Sequence, residues 1–334
     1  MLRLIVTRLL QLPLILGAVL AITLTLAWLV PGNPLERPVG RRPSAEVLQA
    51  MKAQYQLDDF AGFASSYIYN ATGLKYAVES LSPTARARRE AALAAGKALP
   101  PRPVFDLGPS LRHTDQRVSS IVADSLPVSM TLGAAAILLA LVIGLGAGII
   151  GALRPGSPAD HASFALALVG ISVPNFVIGT LFLMVFAVWL KWLPSAGIGL
   201  AGSIMPALTL SLPPAAYIAR LTRMGMIEVL ASDYVRTARA KGASMPRVVI
   251  HHALRNAFLP VLSYLGPAAA LAMTGSFVVE KVFSIPGMGQ HFVDAVLNKD
   301  LFLILGVVLV YATLLILFNL VVDVLYRWVD PRIV

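Results

Sequence analysis

Residues 126–153, LPVSMTLGAAAILLALVIGLGAGIIGAL, carry no charged side chain. About 20 predominantly apolar residues in a helix suffice to cross a hydrocarbon core roughly 30 Å thick. A lipid-facing backbone must satisfy its own hydrogen bonds, so such a run is read as a helix. Apolar stretches recur at 9–30, 162–190, 204–221, 258–279 and 301–326. The expected fold class is therefore an all-α polytopic membrane protein with six transmembrane helices. Composition agrees, with 57% hydrophobic and 13% charged residues, about half the charged share of a soluble domain.

The span at 9–30 follows Arg3 and Arg8 and ends at PGNP. Its charge order is that of a signal peptide. Its apolar run is too long for a typical h-region and no A-x-A site follows, so it reads as an uncleaved helix. Arginines and lysines then set the orientation. Arg3, Arg8, Arg154, Arg220, Arg223, the basic cluster at 236–255, Arg327 and Arg332 fall on one side, against Lys191, Lys281 and Lys299 on the other. The basic side stays in the cytoplasm, which puts both termini inside. Residues 31–122 are then an extracytoplasmic segment, long enough to escape that rule. Ser44 before AEVLQAMKAQY suggests a capped amphipathic helix, and residues 82–103 read as a basic, Ala-rich helix running into a Pro-rich linker. This segment has few large apolar residues, so a weak core is expected.

Several chemistries are excluded. The chain has no cysteine, hence no thiolate site or disulfide. Its histidines (113, 161, 251, 252, 291) show no i, i+4 pair, and no metal site is expected. Gly96-Lys97 is followed by Ala98 and lacks the rest of a phosphate loop. An ion-coupled carrier needs ionisable groups near the bilayer middle, and the middles of the spans are bare. Asp323, near Arg327 and four residues after Asn319, reads as an interfacial carboxylate. Prolines stand out instead. Pro174-Asn175 is expected to break the span at 162–190, and Pro213 and Pro214 to bend the one at 204–221. Freed carbonyls are tolerated only against protein or a wet cavity, so these positions serve as markers of a pathway or of packing.

The most unusual stretch is SDYVRTARAKGASMPRVVIHHALRNAFLP, 232–260. A loop between two spans need not be this long. Asp233 to Lys241 reads as a short helix closed at Gly242. Ser244 then starts a second helix, with Pro246 in its first turn, reaching about Ala257. Ala238, Ala240 and Gly242 would let a partner's backbone approach, while Arg236, Arg239 and Lys241 supply polar contacts. Two readings remain open for this loop: a docking knob, or positive charge anchoring the helices at lipid headgroups.

DYVRTARAKGAS…HHALRNAFLP resembles the cytoplasmic EAA loop of ABC-importer permeases, and within them the oligopeptide/dipeptide/nickel group. Arg236, Thr237, Ala238 and Gly242 fall on the E-A-A-x-x-x-G pattern, with Arg236 where the pattern has glutamate. IARLTRMGMIEVL (218–230), VVEKVFSIPGMGQHFVDAVLNKD (278–300), LFNLVVDVLYRWVDPRIV, FDLGPS (105–110) and LAWLVPGNPLE are similar to further motifs of the group. The B-type subunit fits best. The basic insert at 73–103 is longer than that pattern.

The resemblance implies a type I ABC importer permease fold in a bacterial plasma membrane. Its parts would be an N-terminal transmembrane helix (1–30), the extracytoplasmic segment (31–122), a five-helix permease core (123–328) with a cytoplasmic coupling loop (222–257), and a cytoplasmic tail (329–334). It further implies a second homologous permease subunit, two ATPase subunits that hold ATP and Mg, and an external solute-binding protein. No cofactor and no nucleic acid would bind this chain, which would not itself be an enzyme. The coupling residues would be Asp233, Tyr234, Arg236, Thr237, Ala238, Arg239, Ala240, Lys241, Gly242, Ser244, Arg255 and Pro260. Oligopeptides or dipeptides are the expected cargo, with nickel or another small solute as the alternative. A self-sufficient secondary transporter is the rival from another class.

Overall fold

In the computed structural model of the chain, residues 2–30, 35, 45–95, 103–113, 116–195, 197 and 199–329 are described. Ser44, the PGNP motif, the linker at 100–102 and the C-terminal tail fall outside them. Regular structure among the described residues is helical, apart from one isolated antiparallel bridge, Pro109 with Arg117. In chain order the helices are α1 (Leu2–Leu29), α2 (Ala45–Tyr55), α3 (Phe60–Ala71), α4 (Leu74–Leu81), α5 (Pro83–Ala94) and α6 (Val118–Leu153). Next come α7 (Pro158–Ser172), α8 (Asn175–Phe182), α9 (Leu200–Leu230), α10 (Asp233–Ala240), α11 (Met245–Arg247) and α12 (Leu254–Ala257). The last are α13 (Leu259–Met273), α14 (Phe277–Val282), α15 (Met288–Asn298) and α16 (Leu301–Val329). They form two compact units. One comprises Met1–Leu14, Ser125–His291 and Tyr311–Val334, the other Ile15–Asp124 and Phe292–Val310.

Four of the six expected spans are met by single long apolar stretches: Val6–Leu29, Val118–Leu153, Leu259–Val282 and Leu301–Leu325. The expected span at 162–190 is not one straight helix but a bent pair. Pro174 holds Val173 extended (φ −89°, ψ 127°), α7 stops at Ser172, and the chain resumes as α8 at an angle of 106°. The expected span at 204–221 lies inside α9, whose prolines, serines and threonines lower its hydropathy. Pro206, Pro213 and Pro214 sit within that helix without ending it. Along α9, Met205, Ala207, Leu210, Ala215, Ile218, Ala219 and Met226 are all buried. A helix covered by protein on most sides does not need the hydropathy of one facing lipid.

A stripe of small residues on α6 makes that covering possible. Gly133, Ala136, Ala140, Gly144, Gly148 and Gly151 recur every three or four positions and so share one face. A Cβ on Gly148 would lie 2.6 Å from the Thr222 Cβ of α9, and one on Gly144 2.7 Å from the Ala215 carbonyl. Close backbone approach is how helices gain contact in lipid, where dispersion replaces the hydrophobic effect as the driving force. Three core layers follow along α6 and α9. Leu132, Ala136, Met205, Leu210 and Ala272 pack with Phe283 and Ile285. Ala140, Ala215 and Ile218 pack with Val261. Ala152 and Met226 pack with Val249, Ala253 and Ala257.

Two charged side chains of this unit have partners that local spacing did not suggest. Asp323 accepts from Arg8 Nε at 2.9 Å and pairs with the same guanidinium at 2.8 Å. This partner lies on α1, far from Asp323 in the sequence. Glu280 is fully buried and accepts from Ser129 Oγ at 2.7 Å and the Gln290 N–H at 3.1 Å. Ser129 Oγ in turn accepts from the Met288 N–H at 2.8 Å. A Cβ on Gly289 would come within 3.0 Å of the Glu280 carboxylate. The glycines of SIPGMGQ therefore wrap a buried carboxylate whose cost is offset by hydrogen bonds.

In the second unit, the segment between α1 and α6, for which a weak core is expected, receives core residues from elsewhere in the sequence. Phe302, at the start of α16, has ring centroids 5.5 Å from Phe63, 5.5 Å from Tyr55 and 6.0 Å from Tyr67. Trp28 of α1 adds a contact to Phe63 at 5.6 Å. The FDLGPS motif rests on the same ring. Gly108 has φ +86°, and a Cβ there would press into Phe302, 2.9 Å from its Cε1. Two residues on, Ser110 hydrogen-bonds the buried Asp300, which also caps α16 by accepting from the Leu303 N–H at 3.2 Å. α5 buries no residue fully, and Ser82 Oγ accepts from the Ala85 N–H at its start.

Tyr67 is buried, and its hydroxyl has no hydrogen-bond partner among the described residues. Burial, with the charge of Asp106, pushes its phenol far above the usual range. Tyr67→Phe deletes an unsatisfied polar group and keeps the ring, so thermal stability should hold or rise by up to about 1 kcal/mol. Tyr67→Ala should lose about 3–5 kcal/mol. A thermal scan of the purified chain in detergent separates the two, and a clear drop for Tyr67→Phe would contradict the packing described.

Candidate functional site

The loop after α9 folds as two short helices that stand against each other. α10 begins after Ser232, held extended, and buries only Val235. Its end is built by backbone. The Gly242 N–H donates to the Arg239 carbonyl at 2.9 Å, and the Ala243 N–H to the Ala238 carbonyl at 3.1 Å. This double bond pattern requires a left-handed residue, and Gly242 supplies φ +86°. Ser244 follows in the N-cap position, but its side chain makes no capping bond. The return helix expected from 244 to 257 is present with a correction to its interior. After α11 it opens into a π-helical turn, Val248–Ala253, before closing again as α12.

A π turn loosens the backbone ladder, and here a side chain reaches across to it. Tyr234 Oη donates to the His252 carbonyl at 3.4 Å and accepts from Asn256 Nδ2 at 2.8 Å. This clasp joins α10 to the return helix on the exposed side. On the buried side Val248, Val249, Ala253 and Ala257 close the knob onto α9. Gly225 of α9 makes room, since a Cβ there would lie 3.1 Å from the Ala257 Cα. The knob is thus continuous in packing with the C-terminal ends of α6 and α9.

Its outer surface is basic and small. Arg236, Arg239, Lys241, Arg247 and Arg255 are exposed, as are Thr237, Ala240 and Gly242, while Ala238 is half-buried. Arg236 pairs with Asp233 at 2.7 Å, both largely in solvent, an arrangement worth little energy. Tyr234, Thr237, Ala238, Lys241, Gly242, Ala243, Arg247 and His252 line an open cavity of about 520 Å³. No atom lies within 4 Å of where a Gly242 Cβ would stand. Pro260 occupies the first turn of α13, at the exit from the loop. Among the described residues no group of three His, Asp or Glu side chains is gathered to hold a metal.

The expected loop residues are therefore brought together on one protrusion. The proline markers lie elsewhere. Pro174 and Asn175 form the break between α7 and α8, and Pro213 and Pro214 lie inside α9, against which both those helices pack. Sequence reading missed Tyr217 and Tyr264, stacked at 5.4 Å between α9 and α13. It also missed Asp160 of α7, which takes a two-pronged contact from Arg223 at 2.5 and 2.7 Å. A carboxylate at the edge of an otherwise apolar run was the available signal.

The chain is thus a helical bundle with several long apolar helices, and an exposed basic knob packs on the C-terminal ends of two of its helices, α6 and α9. The chain belongs to the family of binding-protein-dependent transport system inner membrane components, whose model matches residues 126–334. It is 47% identical over 231 residues to the oligopeptide transport system permease protein OppB of Salmonella typhimurium, covering 68% of this chain and 76% of that one. It is 38% identical over 313 residues to the dipeptide transport system permease protein DppB of Bacillus subtilis, covering 93% and 91%. Among solved structures, an amino acid ABC transporter crystallised with histidines aligns with a TM-score of 0.47 and 16% identity, over 63% of this chain and 94% of that one. The chain is a multi-pass inner-membrane permease subunit, which by family works with other subunits.

Proposed function

We propose that this chain is one of two permease subunits lining the pathway of an ATP-driven importer of oligopeptides or dipeptides, with both termini in the cytoplasm. Two ATPase subunits, which hold ATP and Mg, bind on the cytoplasmic side and push on the knob at 233–257, and an external binding protein delivers the peptide. The observation that carries this reading is the knob. It ends in an open, left-handed glycine, exposes small and basic side chains, and is packed as one piece with α6 and α9. Such a body passes on a push instead of absorbing it. ATP-driven closure of the ATPases would then rock the inner ends of the helices between two arrangements, as rigid-body switches do. The names of the relatives at 47% and 38% identity support peptide as the cargo.

In this scheme Ala238, Ala240 and Gly242 permit close approach, and Asp233, Tyr234, Thr237 and Ser244 shape the knob. Arg236, Arg239, Lys241 and Arg255 meet acidic groups of the ATPase, and Pro260 sets the direction of α13. Pro174, Asn175, Pro213 and Pro214 mark where the pathway bends. The test is reconstitution of the four-subunit complex in proteoliposomes with the binding protein and a labelled tripeptide. Uptake should require hydrolysable ATP and all four subunits. Flux through this chain alone without ATP would overturn the proposal.

A further inference from the structure

The knob is fused to α6 and α9, but the bend at Pro174 lies at the far end of α7. Something must tie α7 to that body if the bend is to follow it. Ser157 caps α7 by accepting from the Asp160 N–H at 3.3 Å, which sets Asp160 in the first turn. The Asp160 side chain is 5% exposed and Arg223 32% exposed. Asp160 Oδ1 accepts from Arg223 Nε at 2.5 Å, and Oδ2 from the terminal Arg223 nitrogen at 2.7 Å and the Gly156 N–H at 2.8 Å. Gly151 of α6 abuts the same carboxylate, since a Cβ there would lie 2.9 Å from Oδ1. Arg223 is one turn before Met226, where α9 enters the layer shared with the knob.

A forked guanidinium–carboxylate contact fixes orientation as well as distance, which a single lysine nitrogen does not. It is enclosed by α6, α7 and α9 at one level. We propose that the Asp160–Arg223 pair is the joint that passes displacement of the knob into α7 and so to the break at Pro174. Both are positioning residues in this proposal, acting through the helices they join. The inference rests on the permease reading above, and its test separates the two.

The chain has no cysteine, so Phe176→Cys, at an exposed position just past the break, gives a single labelling site. The complete complex carrying it is compared with versions that add Asp160→Asn or Arg223→Lys. Asp160→Asn keeps the shape and removes the charge. Arg223→Lys keeps the charge and removes the fork. ATP hydrolysis, peptide uptake and the ATP-dependent change in maleimide labelling at position 176 are measured in the same vesicles. Hydrolysis should stay within about twofold, while uptake per ATP falls at least about tenfold for Asp160→Asn and by an intermediate factor for Arg223→Lys. The ATP-dependent labelling change should shrink in the same order. Uptake per ATP unchanged in both variants, or hydrolysis and uptake falling in proportion, would overturn the joint. Should Asp160→Asn fail to assemble, Arg223→Lys alone decides by the same criterion. A parent complex without ATP-dependent uptake overturns the permease reading, and the joint with it.

Discussion

Gly133→Leu is expected to destabilise the fold by at least about 3 kcal/mol, whereas Gly146→Leu, on the same helix, should leave its stability unchanged. A Cβ on Gly133 would run into the Ala272 carbonyl group of α13 and lie 2.6 Å from the Met273 Cα. These are backbone atoms, so no rotamer change relieves the clash and α6 must move away from α13. Leu132, Ala136 and Ala272 belong to the same core layer, and their contacts go with the separation. Overpacking of this kind costs roughly 1–3 kcal/mol when side chains can yield, and at least about 3 kcal/mol is expected where they cannot. Lipid offers no hydrophobic gain for re-forming the contact. No atom lies within 4 Å of a Cβ at Gly146, and leucine is the better helix former by several tenths of a kcal/mol. The check is thermal unfolding in detergent, with a fall on the order of 10 °C expected for Gly133→Leu and none for Gly146→Leu. Equal melting of the two variants would show that α6 and α13 do not meet as described.

The contrast between those glycines also marks how far the sequence could be read. Long apolar runs without charge reveal themselves as helices because a bilayer admits few other structures. The runs at 126–153 and 301–326 appear as α6 and α16 for that reason. α9 was harder, because buried helices trade leucines for prolines, serines and threonines. The break at Pro174 was visible, since proline constrains the residue before it. Its 106° angle was not, because the angle depends on packing against α9. The core of the segment between α1 and α6 was illegible for a related reason. Its central ring, Phe302, is supplied by a helix far along the chain, and local composition does not record such a loan.

At the knob, Gly242 could be read directly, because a helix end that needs positive φ strongly favours glycine. The Tyr234–Asn256 clasp and the Asp160–Arg223 joint could not. Their members are 22 and 63 positions apart, with no periodicity to link them. Arg8 and Asp323, 315 positions apart, show the same limit most clearly. Spacing points only to near neighbours of Asp323, and the tertiary contact brings in a residue of α1.

Two substitutions at Gly242 divide folding from docking. Any side chain at φ +86° strains the backbone by roughly 1–2 kcal/mol, and this cost falls on alanine and tryptophan alike. Neither meets a neighbour within the chain, because the space around that Cβ is empty out to 4 Å. Both variants should therefore purify as folded protein with similar melting. What differs is the surface offered outward. Alanine adds one methyl group beside Ala238 and Lys241, whereas tryptophan fills the mouth of the 520 Å³ cavity they line. Gly242→Ala should keep at least about half of ATP-dependent peptide uptake. Gly242→Trp should drop below about a twentieth, a loss of close to 2 kcal/mol in effective coupling, and should no longer retain ATPase subunits on purification. If Gly242→Trp holds its ATPases and imports peptide normally, the partner's docking site is elsewhere on the chain. If Gly242→Ala fails equally, the cap's geometry is what the ATPase reads, and the open space beside it has no role in binding.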